Sequence, residues 1–383
     1  MVITRRIEVF ICEDDKDLRK SYYEKLYDNS KAAVATANMA ISHLYMLDNT
    51  TPYLSEEDRE KIVYLGAKGS AATRNNAPYV KASEMFKGKA DMGMLSCVCQ
   101  EVRKVYQDDR KKGMWNRSLR SYKANMPMPF KAERFCDLRI SEYHDKEDTV
   151  RKGCLFTLMG IPFQCRFGRD RSNNRVIVER VIEGDYKMCT SSIQIDGKKI
   201  YLLLRVDIPV QEHKLTEGKQ IFAFLGVMNP IVCTTDINYN LCGESKTKSV
   251  VWEIGTKEEF NYRRRQIQEA VWRCQKQNKY STGGKGRKRK CQAIERYHEK
   301  EMNYVDTKLH TYSRELVDLA IKHKCSEIVL MSQKKREEKA KKDNAVEEKN
   351  NHEEFVLRNW SYYGLKEKIS YKCKMAGIKL IEE

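Results

Sequence analysis

Between Ile200 and Ile208 the chain alternates without a break. Ile200, Leu202, Leu204, Val206 and Ile208 fall on one side, with Tyr201, Leu203, Arg205 and Asp207 on the other. A strict period of two is a strand with one face in a core, and a helix cannot satisfy it. Asp196 and Gly197 just upstream tolerate the positive φ of a tight hairpin turn, so another strand precedes this one. Residues 131–209 therefore read as a β-rich unit. A shorter alternation at residues 3–11 (Ile7, Val9, Ile11) predicts an N-terminal strand, ended by the acidic stretch 13–17. That strand can join the β-rich unit, which makes the block between them an insertion into a small barrel.

The inserted block has helical spacing. Asn29 or Ser30 is placed to cap a helix to about Leu47, with Ala33, Ala37, Ile41 and Leu44 on one stripe. Val98, Val102 and Val105 mark a second helix near residues 94–107. Two prolines in residues 125–130 end the block.

Lys plus Arg number 72 against 54 Asp plus Glu, a net charge of +18. Such an excess favours a polyanionic partner, nucleic acid above all, over a merely soluble basic protein. At 41% hydrophobic residues the chain can build packed cores. The longest apolar-looking run, 221–233, holds Gly226, Asn229 and Pro230 and is too short to cross a bilayer. The N-terminus has no cleavable apolar stretch, so the expectation is a protein without a membrane partner in a reducing compartment. Thirteen cysteines occur, none as C-x-x-C. Cys97 and Cys99 lack a second pair at zinc-ribbon spacing, which favours reduced core cysteines over a zinc site.

After a linker at 212–219 the order changes. Strands are expected at 221–235, 238–245 and 249–254, then a long basic helix from Glu258, interrupted by a Gly-rich basic loop at 281–290. A helix with Val305, Leu309, Tyr312, Leu316 and Leu319 on one stripe follows, then a strand at 327–331. A charged insert at 334–354 lacks apolar periodicity and reads as a solvated excursion. A helix with Leu365, Ile369, Cys373 and Ala376 stops at Gly377, and a strand follows at 378–381. Three antiparallel strands followed by α-β-α-β is the order of an RNase H-like fold.

These residues carry a resemblance. FAFLGVMNPIVC (222–233) resembles the first RuvC motif of compact type V-F CRISPR effectors and their TnpB relatives. NKYSTGGKGRKRK (278–290) resembles the basic loop of that domain. HTYSRELVDLAIKHKCSEIVLM (310–331) and NWSYYGLKEKISYKCKMAGIKLI (359–381) are similar to the second motif and the helix and strand after it. RSYKANMPMPF (120–130) and IEGDYKMCTSSIQIDGKKIYLLLRVDIP (182–209) are similar to the wedge domain. The resemblance covers most of the chain after about residue 115. It implies an α+β multidomain protein: a wedge strand at 1–15, a helical recognition lobe inserted at 16–125, a wedge β-barrel at 126–213 and a RuvC-like α/β domain at 214–383.

Aligned on those motifs, the family's first catalytic Asp falls on Phe224 and the Glu of the second motif on Met331. The third acid would follow a zinc ribbon that lies beyond Glu383. Neither Phe nor Met supplies the hard oxygen ligands that Mg²⁺ demands. The expectation is a protein that is not an enzyme, with Phe224 and Met331 filling the metal cavity and no catalytic Mg²⁺ or other metal. Rescue by Asp236 or Glu253 is the minor reading.

Binding is read separately from cutting. Lys285, Arg287, Lys288, Arg289 and Lys290 crowd five cations into six positions, suited to guide RNA or a guide–target duplex, or else simply solvated. A second cluster spans Arg103, Lys104, Arg110, Lys111, Lys112, Arg117, Arg120 and Lys123, with Trp115 and Tyr122 interleaved. Cations among aromatics suit RNA, and a solvated helix face with buried rings is the plainer reading. Trp360, Tyr362 and Tyr363 read as packing.

The resemblance implies a guide RNA, a double-stranded DNA target and a homodimer on one guide, in the bacterial cytoplasm at the nucleoid. The expected function is nuclease-dead, RNA-guided promoter binding that controls transcription, through a recruited sigma factor and RNA polymerase. A TnpB-like guided repressor, a residually active guided nuclease, and a plain RNA-binding or structural protein are the alternatives.

Overall fold

The computed structural model describes residues 1–62, 64–66, 73–113, 119–144, 150–167, 173–197, 199–210, 212–226, 229–235, 250–278, 285–331 and 362–382. The chain divides into two compact units, Met1–Ile208 and Pro209–Glu383.

The first unit opens with strand β1 (Val2–Ile11), and Ile3, Ile7, Val9 and Ile11 face its core. Helix α1 (Lys16–Thr50) follows, longer at both ends than its apolar stripe predicts. Its start is set by Asp15, whose carboxylate accepts from the backbone N–H of Asp17 (2.8 Å) and Leu18 (3.1 Å). Only the second half carries the stripe; Ala33, Ala37, Ile41 and Leu44 are all buried. Helices α2 (Glu56–Glu60), α3 (Ala77–Phe86) and α4 (Met92–Lys111) complete the inserted block. Val98 and Val102 of α4 are buried, and Asp91 caps the helix by accepting from Met94 N–H at 2.7 Å.

Seven strands and one helix follow: β2 (Met128–Phe130), β3 (Cys136–His144), β4 (Val150–Leu158), β5 (Ile161–Arg166), helix α5 (Asn174–Glu183), β6 (Lys187–Met188), β7 (Ser191–Asp196) and β8 (Lys199–Asp207). The sheet order is β2-β7-β8-β1-β5-β4-β3, with β6 also on β8. The N-terminal strand does join this sheet, between β8 and β5, and both pairings are antiparallel. The expected barrel is corrected: among the described residues the sheet is open. Closure needs β2 and β3 to pair, and three-residue β2 pairs with β7. Stacked rings run from Phe130 through Phe135 and Phe156 to Phe163, with centroids 5.8, 4.4 and 5.3 Å apart. The predicted alternation of β8 is present, with Ile200, Leu202, Leu204 and Val206 buried. In its hairpin Asp196 pairs with Lys199, and Gly197 carries the positive φ of +61°.

The second unit contains β9 (Thr216–Leu225), β10 (Ile231–Thr234), β11 (Val251–Ile254), α6 (Lys257–Asn278), α7 (Lys285–Lys322), β12 (Cys325–Leu330), α8 (Tyr362–Ala376) and β13 (Lys379–Glu382). Its sheet order is β11-β10-β9-β12-β13. β10 is antiparallel to both β9 and β11, while β12 runs parallel to β9 and β13 parallel to β12. This is the RNase H-like arrangement, reached with different strand limits. The single strand expected at 221–235 is two, because Gly226, Asn229 and Pro230 turn the chain back: Ile231 pairs with Leu225. Part of the expected linker, from Thr216, belongs to β9. The strand expected at 238–245 and the insert at 334–354 lie outside the described residues.

Both predicted helical stripes of this unit are buried. Leu309, Tyr312 and Leu316 of α7 join Leu365, Ile369, Cys373 and Ala376 of α8 in one core with Ile221, Ala223, Ile231 and Ile328. Gly255 is required there: its φ is +73°, and a Cβ would stand 2.5 Å from the Tyr312 ring. Tyr362 packs against this core, but Tyr363 is 75% exposed, so it is not the packing residue expected. Trp360 lies outside the described residues.

Candidate nucleic-acid interface

The RNase H-like sheet brings Phe224 and Met331 together. Phe224 sits on β9 opposite Val232, and Met331 follows directly on β12. Leu330 pairs with Ala223, and the Met331 N–H donates to the Ala223 carbonyl at 3.1 Å. The two side chains thus stand at the carboxyl ends of adjacent parallel strands, the place where open α/β sheets bind ligands. Both are half-buried. A phenyl ring and a thioether give Mg²⁺ no oxygen. Among the described residues no group of three or more His, Cys, Asp or Glu is placed to hold a metal. Glu253 is exposed on β11 and accepts from the Asn229 side chain at 2.9 Å. Asp236 lies outside the described residues.

Among the described residues the cysteines are not grouped around a metal site. The described cysteines are free thiols; Cys97 is buried and Cys99 half-buried. Burial pushes Cys99 up to about 12, which disfavours the thiolate that a metal needs.

The basic run is helical. Lys285, Arg287, Lys288, Arg289 and Lys290 lie on the first turns of α7, with Arg289 exposed, where a flexible loop was expected. Three glycines signal a loop, yet Gly286 falls inside the helix, and residues 281–284 lie outside the described ones. α7 runs antiparallel to α6. Arg264 donates to Glu301 at 3.0 Å, Gln268 to the same oxygen at 2.8 Å, and the Tyr304 hydroxyl to the Glu259 carbonyl at 3.0 Å. The Arg264–Glu301 pair is largely buried and fixes the register of the two helices.

The second cluster is more engaged than its sequence suggests. Arg120 grips Asp109 with two bonds of 3.0 Å, and those bonds hold the Asp109 carboxyl below its ordinary range. The Tyr122 backbone is bracketed by Asn38 of α1, at 2.9 and 3.0 Å. Tyr122 is half-buried, and its hydroxyl has no partner among the described residues. Arg110 is committed to Asp48 at 2.9 Å. Lys104, Lys111, Lys112 and Lys123 are exposed and Arg103 is half-buried; Trp115 and Arg117 lie outside the described residues. The sequence reading missed Trp272 on α6, which is 64% exposed with the Lys276 ammonium 5.6 Å from its ring centroid.

No family model matches the chain. Over 223 residues it is 31% identical to the CRISPR-associated endodeoxyribonuclease Cas12f1 of Sulfoacidibacillus thermotolerans, covering 55% of this chain and 46% of the relative. It is 28% identical over 221 residues to the Cas12f1 of Syntrophomonas palmitatica, covering 55% of this chain and 40% of that protein. Over about half its length the chain is thus similar in sequence to Cas12f1 proteins, the compact type V-F effectors that its motifs resemble. It spans less than half the length of these curated relatives. The fold agrees: a cryo-EM structure of a Cas12f1–sgRNA–target DNA complex matches 100% of this chain and 89% of the solved one, with a TM-score of 0.65 at 15% identity.

The relatives' names bring a correction. Both are named endodeoxyribonucleases, which contradicts the expectation of a protein that is not an enzyme. That expectation rested on two strand-end side chains and on residues beyond Glu383. Substitution at two positions says nothing of acids carried elsewhere. As for membranes, no helix among the described residues is long and apolar enough to cross one.

Proposed function

We propose that this chain binds a guide RNA and, through base pairing by that guide, a double-stranded DNA target. The observation that carries the reading is the 31% identity over 223 residues to a Cas12f1 endodeoxyribonuclease. A net charge of +18 and the basic first turns of α7 supply the phosphate contacts that such a task needs. The guide reads sequence, while the protein holds the heteroduplex by its shape and backbone. Lys285, Arg287, Lys288, Arg289 and Lys290 are the proposed backbone contacts, with Arg117, Arg120, Tyr122 and Lys123 as a second set. Of that second set, Arg120 and Tyr122 have structural partners as well. Two copies on one guide RNA are part of the proposal, as is a promoter target where the bound protein recruits a sigma factor and RNA polymerase.

The test is to purify the chain from its own genomic context, sequence the RNA that comes with it, and map crosslinked DNA. A discrete RNA whose variable end matches the crosslinked DNA is the expected result. Bulk RNA with no matching DNA contradicts the proposal. Adding Mg²⁺ to the purified complex and its matched DNA shows whether binding leads to cleavage.

A further inference from the structure

The far end of the α6–α7 hairpin combines two features that the packing of this unit does not use. One is an exposed tryptophan. α6 buries Phe260, Ile267 and Val271, yet Trp272 is 64% exposed. Large indoles are mostly buried in proteins, so a solvated one needs an explanation. The other is charge. Residues 270–294 hold eight Lys or Arg and no Asp or Glu.

The register joins them. Glu259 meets Tyr304 and Arg264 meets Glu301, so the helices run antiparallel, one residue forward against one back. Carried to the tip, this sets Trp272 and Lys276 level with about residues 289–293. The exposed Arg289 and the basic first turns of α7 therefore share one end of the hairpin with Trp272, Arg273 and Lys276.

We infer that this tip is a stacking site for an unpaired nucleotide, with Trp272 under the base and the α6 and α7 cations on the flanking phosphates. Aromatic faces accept any base, and a basic groove beside them tracks the strand. Docking of an apolar helix fits less well. Tyr262, the other exposed aromatic of α6, lies ten residues away and about 80° round the helix, so no continuous apolar stripe forms. An excess of cations also selects a polyanion, with Glu269 and Glu295 bounding the basic run. The inference deepens the proposed function and rests on it only in taking nucleic acid as the ligand.

The test is fluorescence anisotropy of the full chain with short labelled oligouridylate and oligodeoxythymidylate across a salt series. Trp272→Ala should weaken binding about five- to a hundredfold and leave the salt slope unchanged; Trp272→Phe should restore most of it. Loss with the RNA probe alone assigns the site to the RNA, and loss with the DNA probe alone assigns it to a DNA strand. Unchanged affinity for both probes overturns the inference, as does a loss that Phe does not restore or one that alters the salt slope. If guided DNA binding persists while Trp272→Ala does nothing, only this inference fails. If no guide RNA is found yet Trp272→Ala loses the probes, the site stands and the guided function falls.

Discussion

Single residues hold this chain together where its helices meet. Asp48, with a side chain 5% exposed, accepts from the Tyr106 hydroxyl and from Arg110, both at 2.9 Å, and pairs with Arg74. It ties α1 to α4 and to the segment before α3. Asp48→Ala should cost about 2–3 kcal/mol in a denaturant titration, because three donors lose a shared acceptor; a loss below about 0.5 kcal/mol contradicts that role. Lys372 of α8 is a buried cation that donates to Ser313 Oγ at 2.9 Å and to the His310 carbonyl. Burial lowers it from its ordinary value to about 8, with Arg314 and Lys368 adding to the shift and Asp318 opposing it. The unfolded chain binds this proton up to about pH 10.4 and the folded one releases it near 8, so stability should rise with pH between those values. Lys372→Met should flatten that rise, as measured by denaturant midpoints across the window; an equal slope in the variant contradicts the assignment. Neither residue was legible in the sequence, since a partner-bound Asp and a solvated one are written alike.

Elements were legible where one periodicity ruled. The strict alternation of β8 and the apolar stripes of α7 and α8 reached their predicted faces. Others misled for physical reasons. From Lys16 to Lys25 α1 carries no buried residue, so its written signal there is the cap at Asp15. α5 was missed because RVIVERVI is rich in β-branched residues, which favour strands, and only Ile177 and Val178 of it are buried. The three glycines at 283–286 hid the start of α7. The same packing governs the thiols. Burial pushes Cys233 and Cys373 up to about 12, as it does Cys99, while Cys136 at the start of β3 is exposed. Alkylation of the native chain at pH 8, read by mass spectrometry, should label Cys136 before those three. Equal rates at Cys233 and Cys136 contradict the placement of β10 in the core.

At the scale of the whole molecule, two units share one chain and a net charge of +18. The sequence showed the β-rich unit, its N-terminal strand, the RNase H-like order and the resemblance to type V-F effectors. It did not show which cations are free for a ligand, because ion pairs such as Arg120–Asp109 and Arg110–Asp48 form only on folding. It also led to the overturned reading of a non-enzyme, since motif alignment sees two positions and not the rest of a site. Replacing Lys285, Arg287, Lys288, Arg289 and Lys290 with Ala should weaken nucleic-acid binding and flatten its salt dependence, by about one unit of slope for each phosphate no longer neutralised. An unchanged slope means that these turns of α7 touch no phosphate. The most direct test of guided binding is the affinity of the reconstituted protein–guide complex for two DNA duplexes that differ only in the guide-matched segment. The account predicts tight binding to the matched duplex and a large loss on scrambling; equal affinity for both, or equal binding without the guide, contradicts it.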